Sequence, residues 1–188
     1  MGKSRKSNKS AYILQGLWLG LGAFFLSSSM NAFLEKITEN IPLEVGIPLF
    51  FAVVFLGIIS DGIGLASARA KEESILSMAS RKVRGARESL WFIRNASKVS
   101  SVFNDVMGDV AATLSGALAV ATVYRFRHLL PGVSLVLLTS LGVGLASFLS
   151  VGGKAVFKPL ALGHAESIVL FLGKVRYFFS RVLRRRGG

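Results

Sequence analysis

The chain of 188 residues contains no cysteine, only 2 histidines and 4 prolines, and fewer acidic than basic residues. The absence of cysteine excludes disulfides and thiolate metal sites. His128 and His164 are isolated, with no neighbouring group at the spacing of a catalytic pair or a metal site. We therefore predict that the protein is not an enzyme.

Positive charge dominates, because 23 Lys and Arg face only 10 Asp and Glu, for a net charge of +13. Such a charge could indicate nucleic-acid binding, but its distribution argues against that. Most of the basic residues lie in the segments 1–9, 69–98 and 154–186, and few lie in the connections between these segments. This alternation follows the positive-inside rule of membrane proteins. We predict both termini to be cytoplasmic and no nucleic-acid partner.

Hydrophobic residues make up 52% of the chain, and the mean hydropathy is +0.55. Both values exceed those of an ordinary soluble domain, and a helix needs about 20 apolar residues to cross a bilayer. The sequence therefore predicts an all-α, polytopic membrane helix bundle in an integral membrane protein. Four transmembrane helices are expected, at residues 11–34, 48–66, 102–124 and 130–151, the second beginning at Pro48 and the fourth ending at Gly152, Gly153 and Lys154.

The segments outside these spans complete a single membrane domain over 11–188. Residues 1–10 form a basic and mobile N-terminus, and the apolar run after it is interpreted as a retained span, because no small-residue cleavage site follows it. Residues 70–98 alternate charged and apolar positions, which indicates one or two amphipathic cytoplasmic helices. Residues 164–186 predict an interfacial helix on anionic lipids, with a short fifth span as the alternative.

Polar side chains converge, in this topology, at the cytoplasmic ends of spans two to four. Their oxygen atoms are hard ligands that suit Mg²⁺ or another hard cation. Carboxylates inside a membrane are costly, which favours a buried role for Asp109. Asp105 could instead contact cytoplasmic water or pair with a basic residue. The candidate metal ligands are Ser60, Asp61, Asn104, Asp105 and Asp109, with Ser150 and Lys154 beside them.

Four segments together resemble the membrane domain of the cyclin-M and CorC family of magnesium transporters: ISDGIGLASA, SMASRKVRGARESLWFIRNASK, FNDVMGDV and VGGKAVFKPLALGHAESIVL. In that family, a small-residue motif containing serine ends one span, a paired-asparagine motif opens the next, and a Gly-Glu…Pro-Lys turn precedes a juxtamembrane helix. The resemblance implies a divalent-cation carrier. This chain has Asp105 in place of the second asparagine and Lys154 in place of the glutamate, so the ammonium group of Lys154 could fill the cation site.

Two functions follow as hypotheses. In the first, the candidate ligands line the ion pathway of a cation transporter. In the second, the protein is a membrane scaffold or assembly subunit, a homodimer or part of a larger complex, held by an Asp–Lys pair and by contacts with anionic lipids. Removing one partner of such a buried ion pair costs about 3 to 5 kcal/mol of stability. A loss of this size would favour the scaffold hypothesis.

Overall fold

The computed structural model describes residues 14, 16–30, 32 and 42–186. These residues are mostly helical and contain no β-strand, which confirms the predicted all-α class. The helices are α1 Gly16–Met30, α2 Leu43–Arg69, α3 Glu72–Ser80, α4 Ala86–Arg94, α5 Ala96–Ser100, a π-helix Ser101–Met107, α6 Gly108–Phe126, a 3₁₀ helix Arg127–Leu129, α7 Leu135–Gly163 and α8 Ala165–Arg186.

Three helical stretches are long and apolar enough to cross a membrane: Glu44–Arg69, Ala96–Leu129 and Leu135–Gly163. They coincide with the second, third and fourth predicted spans and identify an integral membrane protein. The predicted first span is covered in part by α1, a shorter apolar helix. The rest of that span and the basic N-terminus at 1–10 lie outside the described residues, so the fourth spanning helix stays a prediction.

The second span begins earlier than predicted. Its helix starts at Leu43, and Pro48 lies inside it instead of opening it. Pro42 stands just before the helix, where its carbonyl oxygen accepts bonds from the N–H groups of Val45 at 2.9 Å and Gly46 at 3.2 Å. A proline at the start of a helix costs little because the N–H it lacks would have no partner there. Pro42 therefore has the role that the sequence analysis gave to Pro48.

The fourth span is longer than predicted at its C-terminal end. The helix α7 continues through Gly152, Gly153 and Lys154 to Gly163 and contains Pro159. Interior glycines cost a helix only about 1 kcal/mol each, which the apolar residues on either side offset. The turn that the family resemblance implies at VGGKAVFK is therefore wrong, because this segment is helical.

Two short helices, α3 and α4, occupy the connector that was predicted over 70–98. Between them the backbone turns at Lys82, with φ of 59°, and at Gly85, with φ of 82°. Positive φ is readily adopted by glycine, and Gly85 provides the left-handed residue directly before α4. The helix predicted over 164–186 is α8, and its place at the membrane surface stays a prediction.

The chain divides into two compact units. The first contains the described residues of Met1–Gly57 and Val106–Ser150, and the second contains Ile58–Asp105 and the described residues of Val151–Gly188. In the first unit, α2 packs on α6 at Gly57, where an added Cβ would lie 2.9 Å from Ala111 Cβ. In the same unit α6 meets α7 at Gly142, where an added Cβ would lie 2.8 Å from Val123 Cγ2. Small residues thus let these helices approach closely, as is typical of membrane bundles.

The second unit has its own core, in which the C-terminal end of α2 meets α8. Its buried cluster comprises Ala66, Ala70, Ala165 and Val169. Phe92 and Ile93 of α4 pack against that cluster. The connector is therefore fixed to α8 by side-chain packing and forms part of the core of the second unit.

Candidate functional site

A stripe of small and polar residues runs along the C-terminal half of α2. Ser60, Gly64 and Ser67 are four and three positions apart, which places them on one helix face. All three are buried. We call these residues the polar stripe.

Asn104 packs directly against this stripe. It lies in the π-helix, and a Cβ added to Gly64 would overlap its Oδ1 atom. Only a residue without a side chain allows the amide to come this near to the α2 backbone. Short π-helices are rare and are often found at functional sites, because they change which side chains face a neighbouring helix.

Two oxygen atoms in this region are buried without a hydrogen-bond partner. They are Ser67 Oγ, in a residue that is only 1% exposed, and Asn104 Oδ1. The Nδ2 atom of Asn104 donates to Ser100 Oγ at 3.4 Å, a long bond that leaves its carbonyl free. An unpaired buried polar group costs about 1–3 kcal/mol, and native proteins satisfy nearly all of them with protein, water or an ion. The stripe and Asn104 therefore each contain one buried oxygen whose hydrogen-bonding capacity is unused within the described chain.

The predicted ligands have different exposures. Ser60 is buried and Asp61 and Asn104 are half-buried, whereas Asp105 is exposed. The side chain of Asn104 contacts α2 at Gly64, whereas Asp105, the next residue, is exposed. Of the two additional residues, Ser150 is buried and Lys154 is half-buried.

Asp109 is exposed, so the expectation that it is buried within the chain is wrong. The buried positions of α6 include Ala111, Leu114, Ser115 and Leu118. At about 100° per residue, Asp109 lies on the opposite side of the helix from this group. Because Asp109 lies on the exposed side of α6, its carboxylate does not carry the cost of burial. A role for Asp109 in cation binding stays a prediction.

No three His, Asp or Glu side chains meet closely enough to hold a metal ion in the part of the chain that the structure describes. Within the second unit, no ion pair joins Lys154 to Asp105 among the described residues. The two buried oxygens without a partner, Ser67 Oγ and Asn104 Oδ1, both belong to neutral side chains. The carboxylates of Asp61 and Asp105 stand next in sequence to Ser60 and Asn104.

A second stripe on α2 is packed by contacts that involve no polar atoms. Its members are Ile58, Gly62, Ala66 and Ala70, which we call the packed stripe. Its partners follow at every fourth residue of α7 and α8, where a Cβ on Gly153 would overlap Ile58 and a Cβ on Gly62 would overlap the ring of Phe157. Rows of residues spaced by four are the ridges through which helices pack. The partner row is Gly153, Phe157, Ala161, Ala165 and Val169.

Sequence reasoning did not identify Ser67 as a member of the candidate site. The available signal was its spacing of seven residues from Ser60, with Gly64 between them, which indicates a common helix face. Nothing in the sequence gave a comparable signal for the contact between Gly64 and Asn104. That contact joins residues 40 positions apart in the chain.

No protein-family model, curated protein or solved structure matches this chain. The likeness to the cyclin-M and CorC membrane domain therefore rests on the sequence motifs alone.

Proposed function

We propose that this integral membrane protein is a cation carrier that holds a hard cation between the polar stripe of α2 and Asn104. The observation that supports this proposal best is the pair of buried oxygens without partners, Ser67 Oγ and Asn104 Oδ1. A bound cation would satisfy both. The family resemblance, although degenerate, independently suggests Mg²⁺.

The chemistry of these groups favours a partly hydrated ion. Amide and hydroxyl oxygens are hard donors, but they carry no net charge. Mg²⁺ gives up its water shell reluctantly and usually keeps several waters in protein sites. In the proposal, Asp61 and Asp105 supply the negative charge from the edge of the site, and water connects them to the ion.

Movement of the ion would follow from repacking of the glycine contacts. Gly64 allows Asn104 to approach α2, and Gly62 allows Phe157 to do so on the packed stripe. In the proposal, a small shift of α2 opens one contact and tightens the other, which exposes the ion to one side of the membrane at a time.

Cation binding by the full-length protein in detergent is the direct test. We expect Mg²⁺, Mn²⁺ or Na⁺ to raise its melting temperature, and Asn104→Ala and Ser67→Ala to weaken binding by about tenfold or more, because each removes a ligand oxygen. Ser97→Ala is the matched control, since Ser97 is exposed on α5. Unchanged affinity in both site variants would refute the assignment.

Lys154→Met tests whether the lysine occupies the site. If the ammonium group replaces the cation, the variant folds and binds Mg²⁺ more tightly than the parent protein. If Lys154 is instead held in a buried structural pair, its removal leaves an uncompensated charge and costs about 3 to 5 kcal/mol of stability. The denaturation midpoint and the Mg²⁺ affinity together separate these outcomes.

A scaffold or assembly subunit is the second candidate, and the low burial of α7 favours it. Only 11% of the apolar window in Leu135–Gly163 is buried, against 39% in each of the other two spanning stretches. Ser140, Gly144 and Ser147 form an exposed row of small residues on α7, of the kind that mediates helix association in membranes.

Cross-linking tests the scaffold candidate, since the chain has no cysteine of its own. Oxidation of Gly144→Cys in membranes would give a disulfide-linked dimer if this face joins two copies. Leu145→Cys, which is exposed and points about 100° away on the same helix, serves as the control. Equal cross-linking of both variants would indicate random collision in the bilayer and would count against a specific interface.

A further inference from the structure

The C-terminal helix α8 has an exposed apolar face. Its members are Phe171, Val175, Phe178 and Val182, spaced by four, three and four residues, so they lie in one row along the helix. Rows of exposed aromatic and aliphatic residues on a helix with basic neighbours are typical of helices that lie in the headgroup region of a membrane. We call this row the apolar face of α8.

An open cavity of about 420 Å³ adjoins this face. Three of its lining residues are basic and come from two separate segments, the turn before α4 and the helix α8. Phe178 and Val182 belong both to the cavity wall and to the apolar face. The lining residues of this basic cavity are Arg84, Lys174, Tyr177, Phe178, Arg181 and Val182.

The packing of α4 on α8 holds Arg84 close to Lys174. A Cβ on Gly85 would lie 2.5 Å from the backbone nitrogen of Lys174, so the turn approaches α8 more closely than any other residue would allow. Ser89 Oγ then lies 2.8 Å from the carbonyl of Gly85 and 3.1 Å from that of Val169, and connects the turn to α8. These contacts therefore fix the backbone positions of Arg84 and Lys174 relative to each other.

A second cavity, of about 370 Å³, shares Arg84 and Tyr177 with the first. It adds two further basic residues, Lys82 and Arg87, and one carboxylate, Glu88. Positive charge thus outweighs negative charge around both cavities. Three or more cations that converge on one cavity favour an anion with several oxygens, and Arg in particular matches phosphate geometry.

We propose that the basic cavity binds the phosphate of an anionic phospholipid, whose glycerol and acyl chains continue along the apolar face of α8. Arg84, Lys174 and Arg181 contact the phosphate oxygens. A lipid fits better than a soluble phosphate, because the cavity opens onto exposed apolar side chains and the protein carries helices that span a membrane. This site is independent of the proposed cation site.

The test titrates the full-length protein, in a zwitterionic detergent, with dioctanoyl phosphatidylglycerol and follows binding by thermophoresis. Removing the three basic groups in Arg84→Gln, Lys174→Gln and Arg181→Gln together should weaken binding by about 30-fold or more. The matched control removes the same number of charges elsewhere, at the exposed residues Lys98, Arg127 and Lys158, also by replacement with glutamine. It should change the affinity by less than about threefold. An equal loss in both triple variants would show diffuse attraction and overturn the site.

Competition identifies the source of the phosphate. Dioctanoyl phosphatidylcholine, glycerol 3-phosphate and inorganic phosphate should each compete at least about tenfold more weakly than phosphatidylglycerol. Competition by glycerol 3-phosphate at the affinity of the lipid would mean a soluble ligand and would refute the lipid assignment. If the triple variant does not fold, the single variant Arg181→Gln, whose side chain is exposed, serves in its place with an expected loss of about fivefold.

Discussion

The two stripes on the C-terminal half of α2 differ in what they bury. The packed stripe buries apolar and small side chains against a row of equally apolar partners, so none of its side chains needs a hydrogen bond. The polar stripe buries hydroxyl groups, and Ser67 Oγ has no hydrogen-bond partner; nor does Asn104 Oδ1, which packs against the stripe. Since both stripes are on one helix, the contrast does not arise from local helix propensity. It indicates that one face stabilises the protein, while the other keeps polar groups at a cost in stability.

The largest expected effect comes from filling the close contact between α8 and α4 at Gly173. A Cβ on Gly173 would overlap Ser89 Oγ and the Gly85 carbonyl and lie 2.8 Å from the Ser89 nitrogen, so backbone would have to move. We expect Gly173→Ala to lower the free energy of unfolding by about 3 kcal/mol. Chemical denaturation in detergent micelles, followed by tryptophan fluorescence, measures it.

Gly152→Ala is the control for that substitution. Gly152 is also a helical glycine, but an added Cβ would find nothing within 4 Å. Replacing it with alanine should raise stability by about 0.5–1 kcal/mol through the gain in helix propensity. If the two variants were equally stable, the close approach of α4 and α8 would not contribute to folding.

An intermediate effect is expected at Gly64, on the polar stripe. A Cβ there would overlap the side-chain amide of Asn104, which can rotate away more easily than a backbone can shift. We therefore expect Gly64→Ala to cost only about 1–2 kcal/mol. If the proposed cation site is present, the same variant loses the rise in melting temperature that Mg²⁺ or Na⁺ produces. If the variant kept that rise in melting temperature, Asn104 would not be a ligand of the ion.

Replacing two buried serines by alanine should change the stability of the protein in opposite directions. Ser89 is 0% exposed and its hydroxyl lies within bonding distance of two carbonyl groups, whereas Ser67 is 1% exposed and its hydroxyl has no partner. In a buffer without added cations, Ser89→Ala should lower stability by about 1 kcal/mol, and Ser67→Ala should raise it by about the same amount. Denaturation midpoints of the two variants test this. Destabilisation by Ser67→Ala would mean that its hydroxyl is already satisfied, by water or by an ion that copurifies.

Much of the fold could be predicted from the sequence, because long apolar runs determine where helices cross a membrane. The residues at which the helices begin and end were harder to predict. Pro48 and the pair Gly152–Gly153 were expected to begin and end helices, yet both lie inside them. A proline or glycine inside a helix costs a few kcal/mol of stability at most. The burial of apolar surface along the whole helix contributes more than that.

The candidate site was only partly predictable. The cost of a carboxylate in a membrane led to a predicted buried role for Asp109, but the sequence did not reveal which side of the third span is buried. That depends on contacts with residues far along the chain, such as the one between Asn104 and Gly64. The π-helix at Ser101–Met107 could not be predicted either, since its sequence is equally compatible with an α-helix.

The smallest expected effect concerns an exposed contact, which contrasts with both buried stripes. Arg94 Nε and Glu72 Oε1 are 2.8 Å apart and form an ion pair between α4 and α3, with side chains that are 60% and 44% exposed. Exposed pairs contribute little, because water and salt screen the charges and two long side chains lose conformational freedom. We expect Glu72→Gln to change the free energy of unfolding by less than about 0.5 kcal/mol, and this difference to vanish at high salt. A loss as large as that of Ser89→Ala would mean that the connector depends on its surface charges as much as on its buried hydrogen bonds.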